Sequence, residues 1–336
     1  MGYNILWPIM RWPDDRHIET EAVGEGNTAV FANSFKEVTD EQWAAADAIV
    51  SAPDVPGEFH DKLSKCRIFI TPKVGFDNID IEAWGARGIP VSNVPDYGTM
   101  EVADHAIALM MSLMKGITFH TRELKADVRG NWRPALNPYG RRLSDCTFGV
   151  LGLGRIGTAA ALRAKAFGMK VVFFDPYLPN GADLAIGVER LKSLPELMAA
   201  SDVLSVHTPL STETEKMLDA AAFAHSKPGQ IVINTARGPI IDIDALHNAL
   251  ATNQIQAAGL DVLPEEPADP NHPLLSAWSR DEDWIAHRLL ITPHSAFYTP
   301  ESMRDMRAKG VLVALEYLDG RPLQNCVNAE FLTGPR

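Results

Sequence analysis

Three polar residues in the second half of the chain could together bind a carboxylate and move a proton. Arg237 follows the apolar run IVINTA, Glu266 lies in a turn after AAGLDV, and His294 comes shortly after LLIT. A guanidinium can bind a carboxylate through two parallel hydrogen bonds, and an imidazole titrates near neutral pH, so it can exchange a proton with a carbonyl oxygen. A neighbouring glutamate would stabilise the protonated imidazole and orient its ring. These residue types therefore suit acid/base chemistry at a carbonyl beside a carboxylate.

The spacing of these three residues predicts that they meet. They lie 29 and 28 residues apart, about one strand-helix unit each. In open α/β sheets, ligands bind outside the carboxyl ends of the strands, and each of the three residues follows a candidate strand. Taken singly, each has an ordinary interpretation: Arg237 as a surface cation, Glu266 as a solvated turn residue, and His294 as a core histidine.

A glycine-rich loop, VLGLGRIG at residues 150–157, follows an apolar run and precedes a helical stretch. Its first glycine permits a tight turn, the second lets backbone N–H groups approach a pyrophosphate, and the third allows close packing of helix on strand. The N-terminus of the following helix adds partial positive charge where phosphates would bind. The loop residues predicted to contact a dinucleotide are Gly152, Gly154, Arg155, Ile156 and Gly157.

The type of dinucleotide is predicted by an aspartate after the next apolar run. KVVFFD ends at Asp175, 23 residues after Gly152, close to the position of a carboxylate that binds both hydroxyls of the adenine ribose. Its charge would repel the 2'-phosphate of NADP, and Pro176 and Tyr177 supply no cation to offset it. NAD is therefore the predicted cofactor. The alternative is that Asp175 only caps a turn and has no contact with a dinucleotide. Beside a nicotinamide, the Arg, Glu and His set would serve hydride transfer to or from a 2-oxo acid.

The elements that must position these residues alternate between short apolar runs and amphipathic stretches, which indicates an α/β fold with parallel strands. We predict two doubly wound domains of the Rossmann and flavodoxin-like type, joined by one long helix from Thr99 to about Lys125. A final helix is predicted to begin after the N-cap Thr299 and to end near Gly320. The predicted strands are residues 4–7, 48–51, 68–71, 90–92, 147–151, 170–174, 203–207, 230–234, 257–260 and 289–292.

Six segments, which occur in order across nearly the whole chain, resemble those of the D-isomer-specific 2-hydroxyacid dehydrogenases. They are KVGFDNIDI (73–81), VLGLGRIG (150–157), HTPL (207–210), NTARGPIID (234–242), GLDVLPEEP (259–267) and TPHSAFY (292–298). Two more, ALRAKAFGMKVVFFDPYL (161–178) and NCVNAEF (325–331), are similar to the C-terminal-binding-protein branch of that family, which includes NAD-sensing transcriptional corepressors.

The resemblance implies a role for each residue of the predicted site. Arg237 would hold the carboxylate and carbonyl of a small 2-oxo or 2-hydroxy acid, His294 would be the general acid/base, and Glu266 would be its partner. The residues implied to bind the same substrate carboxylate through backbone N–H groups are Lys73, Val74 and Gly75. Those implied to line the nicotinamide half of the cofactor are Thr208, Pro209, Thr235, Ala236 and Asp261, with Arg237 and His294 also touching it.

The family also implies a domain organisation. Residues 1–98 and 297–336 would form a discontinuous substrate domain, and residues 99–296 the NAD-binding Rossmann domain. The protein would act as a homodimer. An alternative function is that of an NAD(H)-sensing regulatory protein of the C-terminal-binding-protein type with weak or residual dehydrogenase activity, although a sensor needs no acid/base pair.

The aromatic residues near His294 depart from the branch pattern. Phe297 stands where the corepressors have tryptophan, so an aromatic substrate wall is expected there, but without an indole donor. The insert at residues 276–287 contains Trp278 and Trp284 and precedes His294 in sequence. It would cap an apolar pocket or cover a subunit surface, or it is a surface loop with two partly buried tryptophans.

Composition excludes several other classes. The 31 Lys plus Arg against 43 Asp plus Glu give a net charge of −12, which opposes binding to nucleic acid or anionic lipid. Three scattered cysteines without CxxC spacing predict neither a disulfide framework nor a metal site. No apolar stretch approaches the ~20 residues of a bilayer span, and the N-terminus does not resemble a signal peptide. A cytoplasmic protein without membrane or nucleic-acid partners is expected.

Overall fold

The computed structural model describes residues 2–10, 12, 16–133 and 140–332. The chain forms two compact units: Met1–Gly98 together with Tyr298–Arg336, called the first unit, and Thr99–Phe297, called the second unit. Residues 333–336, at the end of the predicted substrate domain, lie outside the described range.

Parallel strands and helices alternate in both units. The strands are β1 (Asn4–Trp7), β2 (Thr28–Phe31), β3 (Ala48–Val50), β4 (Ile68–Thr71), β5 (Val91–Asn93), β6 (Thr147–Leu151), β7 (Lys170–Phe174), β8 (Glu189–Arg190), β9 (Val203–Val206), β10 (Gln230–Asn234), β11 (Ile255–Leu260) and β12 (Leu289–Ile291). The helices are α1 (His17–Val23), α2 (Asp40–Ala45), α3 (Ile81–Ala86), α4 (Thr99–Met114), α5 (Ile117–Ala126), α6 (Arg155–Ala166), α7 (Ala182–Ile186), α8 (Leu194–Ala200), α9 (Ala220–Ala224), α10 (Ile243–Ala251), α11 (Pro273–Ser279) and α12 (Pro300–Leu318).

The sheet of the first unit has five parallel strands in the order β2-β1-β3-β4-β5. Every residue of β3 and β4 is buried, because both faces of a parallel sheet are covered by helices. The edge strand β2 was absent from the sequence prediction. Its residues are exposed or only partly buried, so no continuous apolar run marks it.

The last helix, α12, packs in the first unit against α1, β3 and β4. The Thr299 side chain accepts the Ser302 N–H at 3.0 Å, and Pro300 occupies the first turn. Within the helix, Arg307 forms a two-point ion pair with Glu19 of α1, with both contacts at 2.6 Å and both side chains buried. The predicted start of this helix is therefore confirmed, as is its end before a glycine.

The sheet of the second unit has seven parallel strands in the order β12-β11-β10-β9-β6-β7-β8. β6, which precedes the glycine-rich loop, lies between β7 and β9. The strand order reverses at β6, because β7 and β8 follow on one side of it and β9 to β12 on the other. β8 is a two-residue edge strand, too short to leave a sequence pattern. The predicted fold class, two parallel-sheet α/β domains, is confirmed.

The predicted single helix from Thr99 to Lys125 is wrong. The chain forms α4 and α5 instead, with Gly116 between them in the left-handed conformation (φ 60°). Within the second unit, α4 packs against α6, β10 and β11. Among the described residues no single helix has both the length and the hydropathy to cross a membrane; α4 and α5 meet that requirement only as a pair, bent by 52°.

Candidate active site

His294 and Glu266 form the central contact of the predicted site. They follow β12 and β11, which are neighbouring strands paired through Ile291 and Leu260. His294 Nδ1 lies 2.6 Å from Glu266 Oε2, with the two side chains 42% and 39% exposed. Because Nδ1 is committed to the carboxylate, Nε2 is the ring nitrogen that can exchange a proton with a bound molecule.

The environment of Glu266 keeps it charged. Partial burial raises the pKa of Glu266, whereas its hydrogen bonds with His294 and with the Leu263 N–H lower it. The positive charges of His294 and Arg237 act in the same direction, so the net effect is a pKa below the usual value. A charged carboxylate thus stands beside the imidazole throughout the neutral pH range.

The backbone at His294 is held in the left-handed region, with φ 53°. This conformation costs a non-glycine residue ~1 kcal/mol or more, so its surroundings must impose it. Asp261 does so: its carboxylate accepts the N–H groups of Ser295 and Ala296, both at 2.9 Å, and its carbonyl accepts the His294 N–H at 2.8 Å. The turn that presents the imidazole is therefore built on a buried aspartate.

The turn that carries Arg237 is fixed in a similar way by Asn234, the last residue of β10. The fully buried Asn234 amide donates to the Arg237 carbonyl and accepts the Ala236 N–H, both at 2.9 Å. At Gly238 a Cβ atom would lie 1.9 Å from the carbonyl carbon of Leu263, so only glycine lets the Arg237 turn pack on the loop that carries Glu266. Arg237, Glu266 and His294 are thus brought to one edge of the sheet.

The glycine-rich loop has the shape that a dinucleotide pyrophosphate needs. Gly152 has φ 88°, and a Cβ there would lie 2.9 Å from the Thr208 nitrogen. At Gly157 a Cβ would lie 2.1 Å from the Gly152 oxygen, whereas the position beside Gly154 is open, with nothing within 4 Å. Gly154 is also the N-cap of α6 and has no side chain to cap it, so the first N–H groups of that helix are available to phosphate oxygens.

The Asp175 carboxylate is anchored beside this loop. It accepts the Leu153 N–H at 2.9 Å and the Tyr177 N–H at 3.0 Å. A second carboxylate lies close by, since the Tyr177 hydroxyl donates to Glu213, and this hydrogen bond raises the pKa of Tyr177. The negative charge of Asp175 also raises the pKa of Tyr177, so both carboxylates act on this hydroxyl.

The remaining residues predicted to line the cofactor follow the ends of β9 and β10. Thr208 and Pro209 come after β9, and Thr235 and Ala236 after β10. The Thr235 hydroxyl is buried and has no hydrogen-bond partner among the described residues. Because buried hydroxyls are normally satisfied, this orphaned group fits a position that a bound molecule completes. The residues present therefore fit a nicotinamide dinucleotide.

Comparison with known proteins agrees with this geometry. Residues 107–296 match the family model described as "D-isomer specific 2-hydroxyacid dehydrogenase, NAD binding domain". The chain belongs to this family. It is 33% identical over 305 residues to a glyoxylate reductase of Korarchaeum cryptofilum, covering 88% of this chain and 86% of the relative.

Two further matches show how widely the family fold extends. The chain is 35% identical over 317 residues (92% of its length) to a D-3-phosphoglycerate dehydrogenase of Methanocaldococcus jannaschii, but it spans only 56% of that relative. A crystal structure of an NADPH-dependent glyoxylate/hydroxypyruvate reductase from Sinorhizobium meliloti superposes with a TM-score of 0.83 at 27% identity, covering 99% and 100% of the two chains. The predicted family, the oxidoreductase class and a nicotinamide dinucleotide cofactor are confirmed.

The predicted substrate loop of this dehydrogenase-family chain lies in the first unit, directly after β4. Val74 accepts the Asn93 side-chain amide at 2.7 Å, Lys73 accepts the Val94 N–H at 3.1 Å, and Lys73 Nζ donates to Asn78 at 2.8 Å. These bonds fix the loop, which continues into Gly75, against the end of β5. Its contact with substrate stays a prediction.

The expectation that Trp278 and Trp284 cap a pocket at His294 is wrong. The Trp278 indole donates to the carbonyl of Leu289, the first residue of β12, whereas His294 follows the other end of that strand. The Trp284 ring lies 5.5 Å from His247 of α10. Both tryptophans therefore pack at the amino-terminal side of the sheet, as the surface-loop alternative describes.

One predicted aromatic neighbour does lie at the site. The ring centroid of Phe297 is 6.3 Å from that of His294, in an edge-on arrangement. Sequence reasoning missed His105 and Thr292, which hydrogen-bond to each other at 2.9 Å behind the His294 turn. The only signal for His105 was a histidine in a helix otherwise rich in alanine, methionine and leucine.

Proposed function

We propose that the protein is an NAD-dependent D-2-hydroxyacid dehydrogenase, also able to act as a 2-oxoacid reductase, with His294 as general acid/base. The 2.6 Å contact between His294 Nδ1 and Glu266 Oε2 carries this proposal, because it leaves Nε2 for proton exchange and supplies a charge that stabilises the imidazolium. NADH, when bound, supplies the hydride for C2.

In the reductive direction each protein group has a distinct task. Arg237 binds the substrate carboxylate and polarises the adjoining carbonyl. His294 donates its Nε2 proton to the carbonyl oxygen, and Glu266 stabilises the imidazolium until that transfer. Oxidation of the 2-hydroxy acid runs the same steps in reverse, with neutral His294 accepting the hydroxyl proton.

The proposed cofactor residues are Gly152, Gly154, Arg155, Ile156, Gly157, Asp175, Thr208, Pro209, Thr235, Ala236, Arg237, Asp261 and His294. Within this set Asp175 favours NAD over NADP, supported by the second carboxylate of Glu213 near it. The proposed substrate residues are Arg237, Phe297 and the backbone of residues 73–75.

The second unit is proposed as the NAD-binding domain, since the family model covers residues 107–296, and the first as the substrate domain. A homodimer is also proposed. It is supported by large apolar side chains left exposed on and after α5: Ile117, Val128 and Trp132 are 55%, 64% and 76% exposed. A cytoplasmic location is proposed as well, and the net charge of −12 supports a protein that binds neither nucleic acid nor anionic membrane.

Phe297 beside His294 favours a substrate with an apolar tail. The alternative, a C-terminal-binding-protein-like sensor with residual activity, is disfavoured because nucleotide sensing does not require the His294–Glu266 pair. Steady-state turnover with NADH and a panel of 2-oxo acids, from glyoxylate and pyruvate to 2-oxoisocaproate and phenylpyruvate, separates the two functions. A kcat of about 1 s⁻¹ or more on one member supports the enzyme. Tight NADH binding by fluorescence without turnover on any member, under conditions that protect the protein from aggregation, would support the sensor.

A further inference from the structure

A buried carboxylate lies behind the turn that presents His294. The Asp261 side chain is 1% exposed, and besides two backbone N–H groups it accepts the Thr292 hydroxyl at 2.5 Å. A buried charge is costly unless hydrogen bonds or an opposite charge compensate it. The position of the His294 turn therefore depends on how well Asp261 is satisfied.

A histidine of helix α4 also approaches the Asp261 carboxylate. His105 of α4 places Nε2 at 2.9 Å from Thr292 Oγ1 and at 3.7 Å from Asp261 Oδ1. The single hydroxyl hydrogen of Thr292 is directed to Asp261, so the hydrogen in the contact with His105 must come from Nε2. His105 is therefore a donor here, and it polarises the Thr292 hydroxyl toward the carboxylate.

The close packing of α4 is what brings His105 within reach. At Gly259 of β11 a Cβ atom would lie 3.0 Å from the Cβ of Leu109, which is one helical turn after His105. A larger residue at position 259 would push this part of α4 away from the strand. The donor is thus set by packing within the second unit and not by a flexible surface side chain.

We propose that His105 is a positioning residue for the reaction, acting on His294 through Thr292 and Asp261; the proposal rests on the proposed function, in which His294 is the acid/base. His105 touches neither reacting atom. It holds the Thr292 hydroxyl on Asp261, and the Asp261 carboxylate in turn holds the N–H groups of the two residues that follow the strained His294 backbone. Without the donor, the imidazole is presented less well and the chemical step slows.

Two substitutions of His105 separate its hydrogen bond from its bulk. His105→Phe keeps a ring but has no donor, whereas His105→Gln keeps an N–H at a similar reach. Asp104→Asn is the matched control, since Asp104 is the neighbouring residue, mostly exposed and paired with Arg163. We expect His105→Phe to lower kcat about tenfold with KM for NADH within twofold, His105→Gln to stay within threefold of the parent, and Asp104→Asn to be unchanged.

Two kinetic results would contradict the role of His105. Full activity of His105→Phe would overturn the proposal, and so would equal loss in His105→Phe and His105→Gln, since that would indicate a packing role only. A measurement without turnover keeps the inference separate from the proposed function: ¹⁵N NMR of the histidine rings should show a hydrogen on Nε2 of His105. The same spectra should show altered His294 signals in His105→Phe but not in Asp104→Asn. An Nε2 of His105 without a hydrogen, or unchanged His294 signals, would refute the proposed connection even in an inactive protein.

Discussion

The charge of Glu266 can be tested apart from its shape. In the wild-type protein His294 Nδ1 lies 2.6 Å from Glu266 Oε2. Glu266→Gln keeps an oxygen that can accept the Nδ1 hydrogen, so it preserves the orientation of the ring. What the substitution removes is the negative charge that stabilises the imidazolium. Reduction requires the protonated ring, and oxidation requires the neutral one, so both directions report on that charge.

The size of the effect follows from the exposure of the pair. Hydrogen bonds to charged groups contribute ~1.5–3 kcal/mol, whereas exposed ion pairs contribute ~0.2–1 kcal/mol. The two side chains are 42% and 39% exposed, which places this pair between those limits. We take about 1 kcal/mol, which corresponds to roughly fivefold in proton affinity, or roughly 0.7 of a pH unit.

The assay is kcat/KM against pH in both directions. In Glu266→Gln the alkaline limb of 2-oxo acid reduction should move to lower pH by roughly 0.7 unit, because the imidazolium is lost earlier as pH rises. The acid limb of 2-hydroxy acid oxidation should move to lower pH by the same amount. Glu265→Gln is the control, since this exposed neighbour loses the same charge one position away. Limbs that stay in place in Glu266→Gln, or that move to higher pH, would refute the assignment of Glu266.

The cofactor preference, the substrate carboxylate, the substrate tail and the buried ion pair can each be tested separately. Wild-type protein should prefer NADH to NADPH by about tenfold or more in kcat/KM, which is ~1.4 kcal/mol, and Asp175→Ala should narrow this gap; equal use of both cofactors by the wild type would contradict the role of Asp175. Arg237→Lys should lose on the order of tenfold or more in kcat/KM, because an ammonium cannot make the two-point contact; unchanged kinetics would make Arg237 a surface residue. Apolar 2-oxo acids should be reduced better than glyoxylate, by a fewfold for each methylene that adds ~0.8 kcal/mol, and Phe297→Ala should reduce this preference; a clear advantage for glyoxylate in the wild type would refute an apolar pocket. Arg307→Met should destabilise the first unit by about 3–5 kcal/mol, because it leaves Glu19 buried and unpaired; unaltered urea unfolding would show that Glu19 is otherwise compensated.

The sequence predicted the buried strands well but missed two of the four edge strands. Both ends were predicted correctly for five strands inside the sheets, namely β1, β4, β6, β7 and β10. Strands inside a parallel sheet are covered on both faces, so their sequences are apolar runs. β2 and β8 lie at sheet edges and lack that signal. The break at Gly116 was missed because the helical pattern of apolar residues continues across it.

The same distinction holds for the site. Arg237, Glu266 and His294 could be predicted because each follows a strand, and the strand ends of a parallel sheet meet at one edge. The network of His105 and Thr292 could not, since hydrogen bonds between residues 187 positions apart leave no spacing pattern. The place of the insert with its tryptophans stayed open between a pocket cap and a surface loop, because proximity in sequence to His294 does not say at which end of β12 a residue packs.

The discontinuity of the first unit has a consequence for synthesis on the ribosome. Its sheet is completed by Asn328, whose side chain accepts the Val91 N–H at 2.8 Å and donates to the Ile89 carbonyl at 3.0 Å, and by α12 against β3 and β4. About 200 residues of the second unit separate the two segments of the first unit. At ~5–20 residues per second, these residues are translated over ~10–40 s. The second unit is continuous and can fold during that interval, while the apolar face of β3 and β4 awaits its cover. Until α12 has emerged from the ribosome, the nascent chain therefore carries an unfinished first-unit sheet whose apolar face is exposed to aggregation.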